Sequence, residues 1–282
     1  MKPGLIDLHV HTTASDGTLS ARDTVAAALA RGLRLLAITD HDTTEGVSEA
    51  VEAAQGTELT LVPGVELSAD TETEDIHVLG YFVNPLAPEI QQALAGLRET
   101  RQARNERILA RLRALGAPVA PARVQEIARR GSVGRPHIAA ALVEAGHARS
   151  QGEAFGRYLA RGRPAYVPRA QLTVAQACDI IRRAGGLAVL AHPAKIGSRA
   201  AREQALAGGV DGIEVYHCDH SAQHVQDLLD LARARGLLVT GGSDSHGPYS
   251  DRPLALGEGA VPQWVGEALL ARAPAWWRAR TD

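Results

Sequence analysis

What most constrains this chain is the placement of its histidines. Eleven occur in 282 residues, and they gather where short apolar runs stop. Residues 5–9 read as a strand entering Asp7-Leu8-His9-Val10-His11. Residues 33–39 read as another, ending in Thr39-Asp40-His41, while 59–67 holds Gly64-Val65-Glu66 and 75–82 holds Asp75-Ile76-His77. Residues 187–192 run into Ala191-His192-Pro193, and 237–241 into Gly242-Ser243-Asp244-Ser245-His246. Runs of this kind should bury their side chains, yet each stops at an imidazole or a carboxylate. Side chains two apart on a strand point the same way, so Asp7, His9 and His11 share a face, with Asp7 placed to orient a ring. One His-x-His pair is weak, since a half-exposed strand can set two histidines in water. Six strand ends together point to a shared metal-binding mouth, because imidazole and carboxylate are the usual donors for Zn, Mn, Fe or Ni.

Between the strands the pattern is helical. Ser20 with Asp23 three residues on is a capping-box start, and Gly32 closes that helix. Helices are expected near 44–55, 174–184, 199–207 and 222–235, each leading into the next strand. Alternating βα units imply a parallel sheet or barrel, whose C-terminal strand ends line the active-site mouth. The rhythm breaks at Pro88. Residues 88–116 read as a long helix rich in Arg, Gln and Glu, followed by helices near 122–129 and 136–145. The expected organisation is discontinuous: residues 1–87 and 169–282 form the α/β unit, and 88–168 form a helical insertion covering the active site. Asn84-Pro85, Arg163-Pro164 and Val167-Pro168 mark its ends. Trp276 and Trp277 are expected to anchor the tail on the α/β unit.

Composition excludes several classes. Hydrophobic residues at 45% can fill a core, so disorder and disulfide scaffolds are poor readings. A formal net charge of −2 gives no general field for a polyanion, so any phosphate recognition must be local. Aromatics at 4% leave little to stack a run of bases. Cys178 and Cys218 match no metal or redox spacing and read as buried thiols in a reducing compartment. The N-terminus turns polar too soon for a signal peptide, and no apolar run approaches the ~18 residues of a membrane span. The expectation is a cytoplasmic protein with no membrane contact and no obligate protein partner.

With these motifs in view, the sequence resembles the PHP family, named for the polymerase and histidinol phosphatase domain. The matching segments are 7–11, 39–41, 64–66, His77, 191–193 and 242–246. His11-Thr-x-x-Ser-Asp-Gly17 and Gly134-Arg-Pro-His137 resemble a subgroup of 3′,5′-nucleoside bisphosphate phosphatases and a related 5′–3′ exoribonuclease. The resemblance implies a distorted (β/α)7 barrel and three divalent metal ions. His9, His11, Glu66 and Asp244 would hold the first, Glu66, His77 and His192 the second, and Asp16, His41 and His246 the third. Many family members place a histidine where Asp16 stands. A carboxylate there favours harder ions, so manganese is preferred over zinc, with iron also open. The implied reaction removes the 3′-phosphate from nucleoside 3′,5′-bisphosphates such as phosphoadenosine phosphate, by attack of a metal-bound hydroxide. The leaving oxygen would take its proton from a bound water, Asp40 or His192, with Asp40 equally readable as a supporting carboxylate. Trimming of short 5′-phosphorylated RNA and histidinol-phosphate hydrolysis are the alternatives, and a non-catalytic PHP module is the reading from another class.

A bisphosphate needs a second anion site. Arg101, Arg104 and Asn105 can share a face of the long helix, although each arginine there reads equally as part of a solvated charged face. Arg135 and Pro136 open a helix whose N–H groups favour phosphate, and His137 either contacts phosphate or caps that helix. Lys195, just past Ala-His-Pro, and His220, after residues 213–217, complete the substrate candidates. Tyr158 and Tyr166 are candidates to pack on one base.

Overall fold

The computed structural model describes residues 5–71, 74–128, 133–168, 172–250 and 253–279. Ser20 starts the first helix, α1 (Ala21–Ala30), by accepting the Asp23 backbone N–H at 3.1 Å. Gly32, at φ +76°, turns the chain into a strand, a conformation that costs glycine least. The strands are β1 (Leu5–Asp7), β2 (Leu33–Ile38), β3 (Thr60–Asp70), β4 (Asp75–Tyr81), β5 (Leu187–Leu190), β6 (Gly212–His217) and β7 (Leu238–Gly242). They form one seven-stranded sheet in chain order. Helix α2 (Glu45–Ala54) links β2 to β3.

The sheet is mixed, which corrects the parallel expectation. β1–β2, β2–β3, β5–β6 and β6–β7 pair parallel, but β4 runs antiparallel to both β3 and β5. The physical reason is the short link at 71–74. A parallel crossover needs about a dozen residues or more, so β3 can only fold back as a hairpin. The backbone just past β1 bonds to the backbone at and just past the end of β7: Leu8 N–H to Gly241 O at 3.2 Å, His11 N–H to Ser245 O at 2.9 Å, and Asp244 N–H to His9 O at 2.9 Å. This seam brings the two ends of the motif-bearing sequence together.

Helix α3 (Pro88–Ala114) carries Pro at its start, where a missing N–H costs nothing. It serves two cores. Ile90 and Leu94 pack with the strands, whereas Ile108 and Leu112 join a second cluster with Val124, Ile138, Leu142 and Leu159. That second cluster lies among α3, α4 (Pro121–Ala128) and α5 (Arg135–Glu144). The expected end of α4 at Arg129 lies outside the described residues, as do the expected boundary at 169 and residues 1–4. A short helix α6 (Gln151–Ala154) continues into a π-turn, Phe155–Leu159, which periodicity did not reveal. Helices α7 (Val174–Arg183), α8 (Arg199–Ala207) and α9 (Ala222–Arg235) occupy the expected βα rhythm. Beyond β7 come α10 (Gln263–Ala271) and α11 (Ala275–Arg278). Trp277 does anchor the tail, its ring edge-on to Phe82 at 5.0 Å.

Candidate metal centre and substrate cleft

The strand ends converge on one carboxylate. Glu66, fully buried on β3, has Oε2 3.3 Å from His9 Nε2, 3.3 Å from His11 Nε2 and 2.9 Å from His41 Nδ1. Its Oε1 is 2.8 Å from His77 Nδ1 and 3.3 Å from His192 Nε2. The hairpin matters here, because the antiparallel pairing of β3 with β4 carries His77 back to the Glu66 carboxylate. Asp244 closes the other side, with Oδ1 3.4 Å from His9 Nε2 and 3.2 Å from His11 Nε2. Asp16 lies 3.3 Å from His246 Nε2 and 3.9 Å from both His11 and His41 nitrogens. All nine residues expected to ligate metal therefore stand in one cluster. Among the described residues four sets have ligand atoms within 4.8 Å of one another: His11–Asp16–His41–His246, His9–His11–Asp244, His41–Glu66–His77 and His9–Glu214–His217. His41 thus stands between two of the sets that the resemblance keeps apart.

These groups fit cations. His9 Nε2, both ring nitrogens of His11, His41 Nδ1, Glu66 Oε2 and Asp16 Oδ1 are buried without a well-formed hydrogen bond. Buried polar atoms are seldom left so, and the donor set is the nitrogen–oxygen mixture that borderline divalent ions prefer. Electrostatics point the same way. Burial alone would raise the Glu66 carboxyl, yet His41, His77 and His9 hold it well below the usual range. Asp244 is likewise held down against burial by His9 and His11, and Asp16 by His246 and His41. Burial should lower His11, but Asp244 and Glu66 push it up to about 10. Burial drives His41 down to about 4 despite Glu66 and Asp16.

Supporting residues sort differently from the sequence reading. Asp7 does not orient an imidazole. Its oxygens accept from the Ser243 backbone N–H at 2.8 Å, the Ser243 hydroxyl at 2.6 Å and the Gly257 N–H at 2.7 Å, pinning β1 to the chain after β7. Asp40 has both oxygens taken, by the Thr12 N–H and hydroxyl at 2.7 Å each and by the Ser15 hydroxyl at 2.6 Å. It braces the loop that carries Asp16, and burial raises its carboxyl above the usual range. Glu214, fully buried in the middle of β6, was not singled out from the sequence, although an acid inside an apolar run was a signal. It lies 3.0 Å from His9 Nδ1.

Beside the cluster, Arg101, Arg104 and Arg135 line a pocket of about 130 Å³ together with Asp16, His41, His77, Pro136 and Phe155. Arg101 pairs with Asp42 and reaches Ser68, and Arg104 Nε donates to Val167 O at 2.7 Å. Arg135 donates to Asp75 at 2.7 Å and lies over the rings of Phe155 and Tyr166. Asn105 is not in this pocket. Its amide donates to Val133 O, because it lies on the side of α3 that faces the second core. A larger cleft of about 580 Å³ shares Asp16, Pro136 and Phe155 with the arginine pocket. It runs past His137, Lys195, Asp244, His246 and Tyr249. His137 Nδ1 accepts the Gly134 N–H at 3.0 Å, so it caps α5 while its ring lines the cleft. Lys195 Nζ bridges Asp244 and Asp219, each at 3.0 Å. His220 lines neither pocket; its Nδ1 donates to Val215 O at 2.8 Å. Tyr166 takes guanidinium groups from Arg104, Arg135 and Arg161 over its ring, whereas Tyr158 packs on the second core and under Arg157.

The chain belongs to the PHP domain family, whose profile matches residues 7–118. It is 39% identical over 251 residues to the 5′-3′ exoribonuclease Rnm of Escherichia coli (strain K12), covering 86% of each chain. It is 34% identical to the 3′,5′-nucleoside bisphosphate phosphatase of Chromobacterium violaceum, over 86% of this chain and 87% of that one. Among solved structures, a candidate metal-dependent phosphoesterase from Bifidobacterium adolescentis superposes with a TM-score of 0.85 at 34% identity, over 95% of this chain and 96% of that one. No helix among the described residues is long and apolar enough to cross a membrane.

Proposed function

We propose that this protein is a metal-dependent phosphoesterase that hydrolyses the 3′-phosphate of nucleoside 3′,5′-bisphosphates. The observation that carries the reading is the Glu66 carboxylate, in contact with five imidazoles from three strand ends and the β4 hairpin strand. Three divalent cations, manganese ahead of zinc or iron, would be held by His9, His11, Glu66 and Asp244, by Glu66, His77 and His192, and by Asp16, His41 and His246. Bound there, they supply Lewis acidity toward phosphoryl oxygens and water. In this reading the sheet closes as a distorted (β/α)7 barrel through the β1–β7 seam, and residues 88–168 form an insertion over its mouth.

The chain's own residues set the substrate. Arg101, Arg104 and Arg135 receive the 5′-phosphate, with Arg135 able to present a planar fork to it. Pro136 and Phe155 wall the passage between that pocket and the cleft, and His137 and Lys195 line the cleft where a ribose and base would lie. We place His192 in the cation set, since its Nε2 faces Glu66, and assign the proton of the departing oxygen to water entering from the open cleft.

One feature favours a second substrate for the same chemistry. The larger cleft continues from the cluster past Tyr249, leaving room for a chain beyond the first nucleotide. Short 5′-phosphorylated RNA would then be cut from its 5′ end. Turnover of a 3′,5′-bisphosphate and of a 5′-phosphorylated trinucleotide should be compared at saturating Mn²⁺. Hydrolysis of both supports one site serving two lengths, and a metal-loaded protein inert on both overturns the proposal.

A further inference from the structure

We propose that Glu214 is a positioning residue that fixes two members of the cluster at once, by setting the tautomer of His9 and holding the backbone of His192. This rests on the cation reading above. Glu214 has no exposed surface. Its Oε1 lies 3.0 Å from His9 Nδ1, and its Oε2 accepts the His192 backbone N–H at 2.8 Å. These partners come from the chain after β1 and from the end of β5, so one carboxylate on β6 ties three strands. The register between β6 and β7 shifts between Glu214 and Tyr216, a bulge of the kind that re-aims side chains beside active sites.

A carboxylate only accepts hydrogen bonds. His9 Nδ1 must therefore carry a proton, which leaves Nε2 as the nitrogen whose lone pair can face outward. That Nε2 is the atom 3.3 Å from Glu66 and 3.4 Å from Asp244. Glu214 thus decides which face of the His9 ring is a donor and which a ligand. His217 shows the opposite choice in the same neighbourhood. Its Nδ1 accepts the Asp219 N–H at 3.0 Å, so its Nε2 bears the proton and points at Asp244 Oδ2. The two buried rings are wired in reverse.

The hold on His192 has a separate consequence. His192 sits at φ 29°, a conformation that a side-chain-bearing residue adopts only when its surroundings impose it. The Glu214 hydrogen bond to its amide is one such constraint.

Glu214→Gln tests both roles, since a carboxamide has one oxygen and one NH2. If the oxygen keeps the His192 amide, the NH2 opposes His9 Nδ1–H, and the proton moves to Nε2, where it faces Glu66 instead of a cation. If the oxygen keeps His9, the NH2 opposes the His192 amide, which has no second tautomer. Zinc, a diamagnetic probe, should be titrated into wild type and variant, with bound zinc counted by elemental analysis and histidine tautomers read by nitrogen-15 NMR. Wild type should show His9 protonated at Nδ1. The variant should lose about 10- to 100-fold in affinity for part of its zinc, the cost expected when a ligand loses its orienting partner, while the ions nearer Asp16 remain. Zinc-loaded wild type with His9 Nδ1 unprotonated overturns the inference without any variant, and so does a folded variant with unchanged zinc affinity. Wild type that binds no zinc overturns the cation reading itself.

Discussion

Replacing Arg135 with alanine should separate recognition of the 5′-phosphate from the chemistry. Arg135 lines the small pocket and already donates to Asp75 at 2.7 Å, so binding a phosphate exchanges one anion for another. A hydrogen bond to a charged group contributes about 1.5–3 kcal/mol net, and the exchange with Asp75 places Arg135 at the lower end. At about 1.4 kcal/mol per tenfold, the expected loss is about 10- to 30-fold. Asp75 retains Arg161 at 3.2 Å, so the variant does not strand that carboxylate. Because the contact is the same in ground and transition states, the loss should appear in KM with kcat nearly unchanged. The assay is steady-state hydrolysis of a nucleoside 3′,5′-bisphosphate and of the matching 3′-monophosphate at saturating Mn²⁺. KM for the first should rise by the stated factor, and KM for the second should stay near wild type. Equal rises would remove Arg135 from 5′-phosphate binding. Thermal unfolding of the variant provides the control, because losing a half-buried ion pair and two ring contacts should cost about 1 kcal/mol of stability.

Metal-free protein should lose stability as pH rises from about 6.5 toward 10. The pKa of His11 is raised on folding, against burial, by Asp244 and Glu66 to about 10, so its contribution is whole below 6.5 and vanishes as pH climbs through 10. An unchanged urea midpoint across that window contradicts the assignment. Acid should act in the opposite sense, since Glu66, Asp244 and Asp16 are held low and their contribution disappears as pH falls below the ordinary carboxylate range near 4. Adding Mn²⁺ to metal-free protein should release protons into a weakly buffered indicator solution and, at a hundred times Kd, stabilise the fold by about 2.7 kcal/mol; a proton-silent titration speaks against ligation by these rings. Gly242→Ala should cost about 1–3 kcal/mol and weaken cation binding, because its Cβ would fall against the His9 backbone nitrogen and Cβ and 2.9 Å from Asp7. Wild-type Tm and Mn²⁺ affinity in that variant would show that the seam tolerates a methyl group.

The candidate metal cluster was legible because most of its residues stand at or just past the ends of apolar runs, which meet on one edge of a sheet, although Glu66 and His77 lie inside β3 and β4 and Asp16 on a loop. His9, Glu66 and Asp244 are far apart in sequence, yet strand order alone places them together. The direction of β4 was legible in principle from the short 71–74 link, a hairpin signal that the βα rhythm hid. Glu214 was harder, since its partners, a ring nitrogen and one amide, exist only after three strands align. Asp40, Asn105 and His220 show the limit on polar residues. Motif and spacing offered each as a catalytic or binding group, and in the fold local donors and acceptors engage them: Thr12 and Ser15, the Val133 carbonyl, and the Val215 carbonyl. Hydrogen-bond partners of that kind depend on ångström placement, which periodicity does not carry.

The seam between β1 and β7 also orders events in time. His9 and His11 are synthesised more than 200 residues before Asp244 and His246. A growing chain therefore offers only fragments of the cluster, and no early folding nucleus can be organised around all of it. Contacts spanning so much sequence form late, because the intervening loop must be closed before they repay it. Any cation held by His9, His11 and Asp244 would then be loaded on a nearly complete sheet, and a ribosome-stalled chain ending before residue 244 should fold much of its helical content while binding cations more weakly.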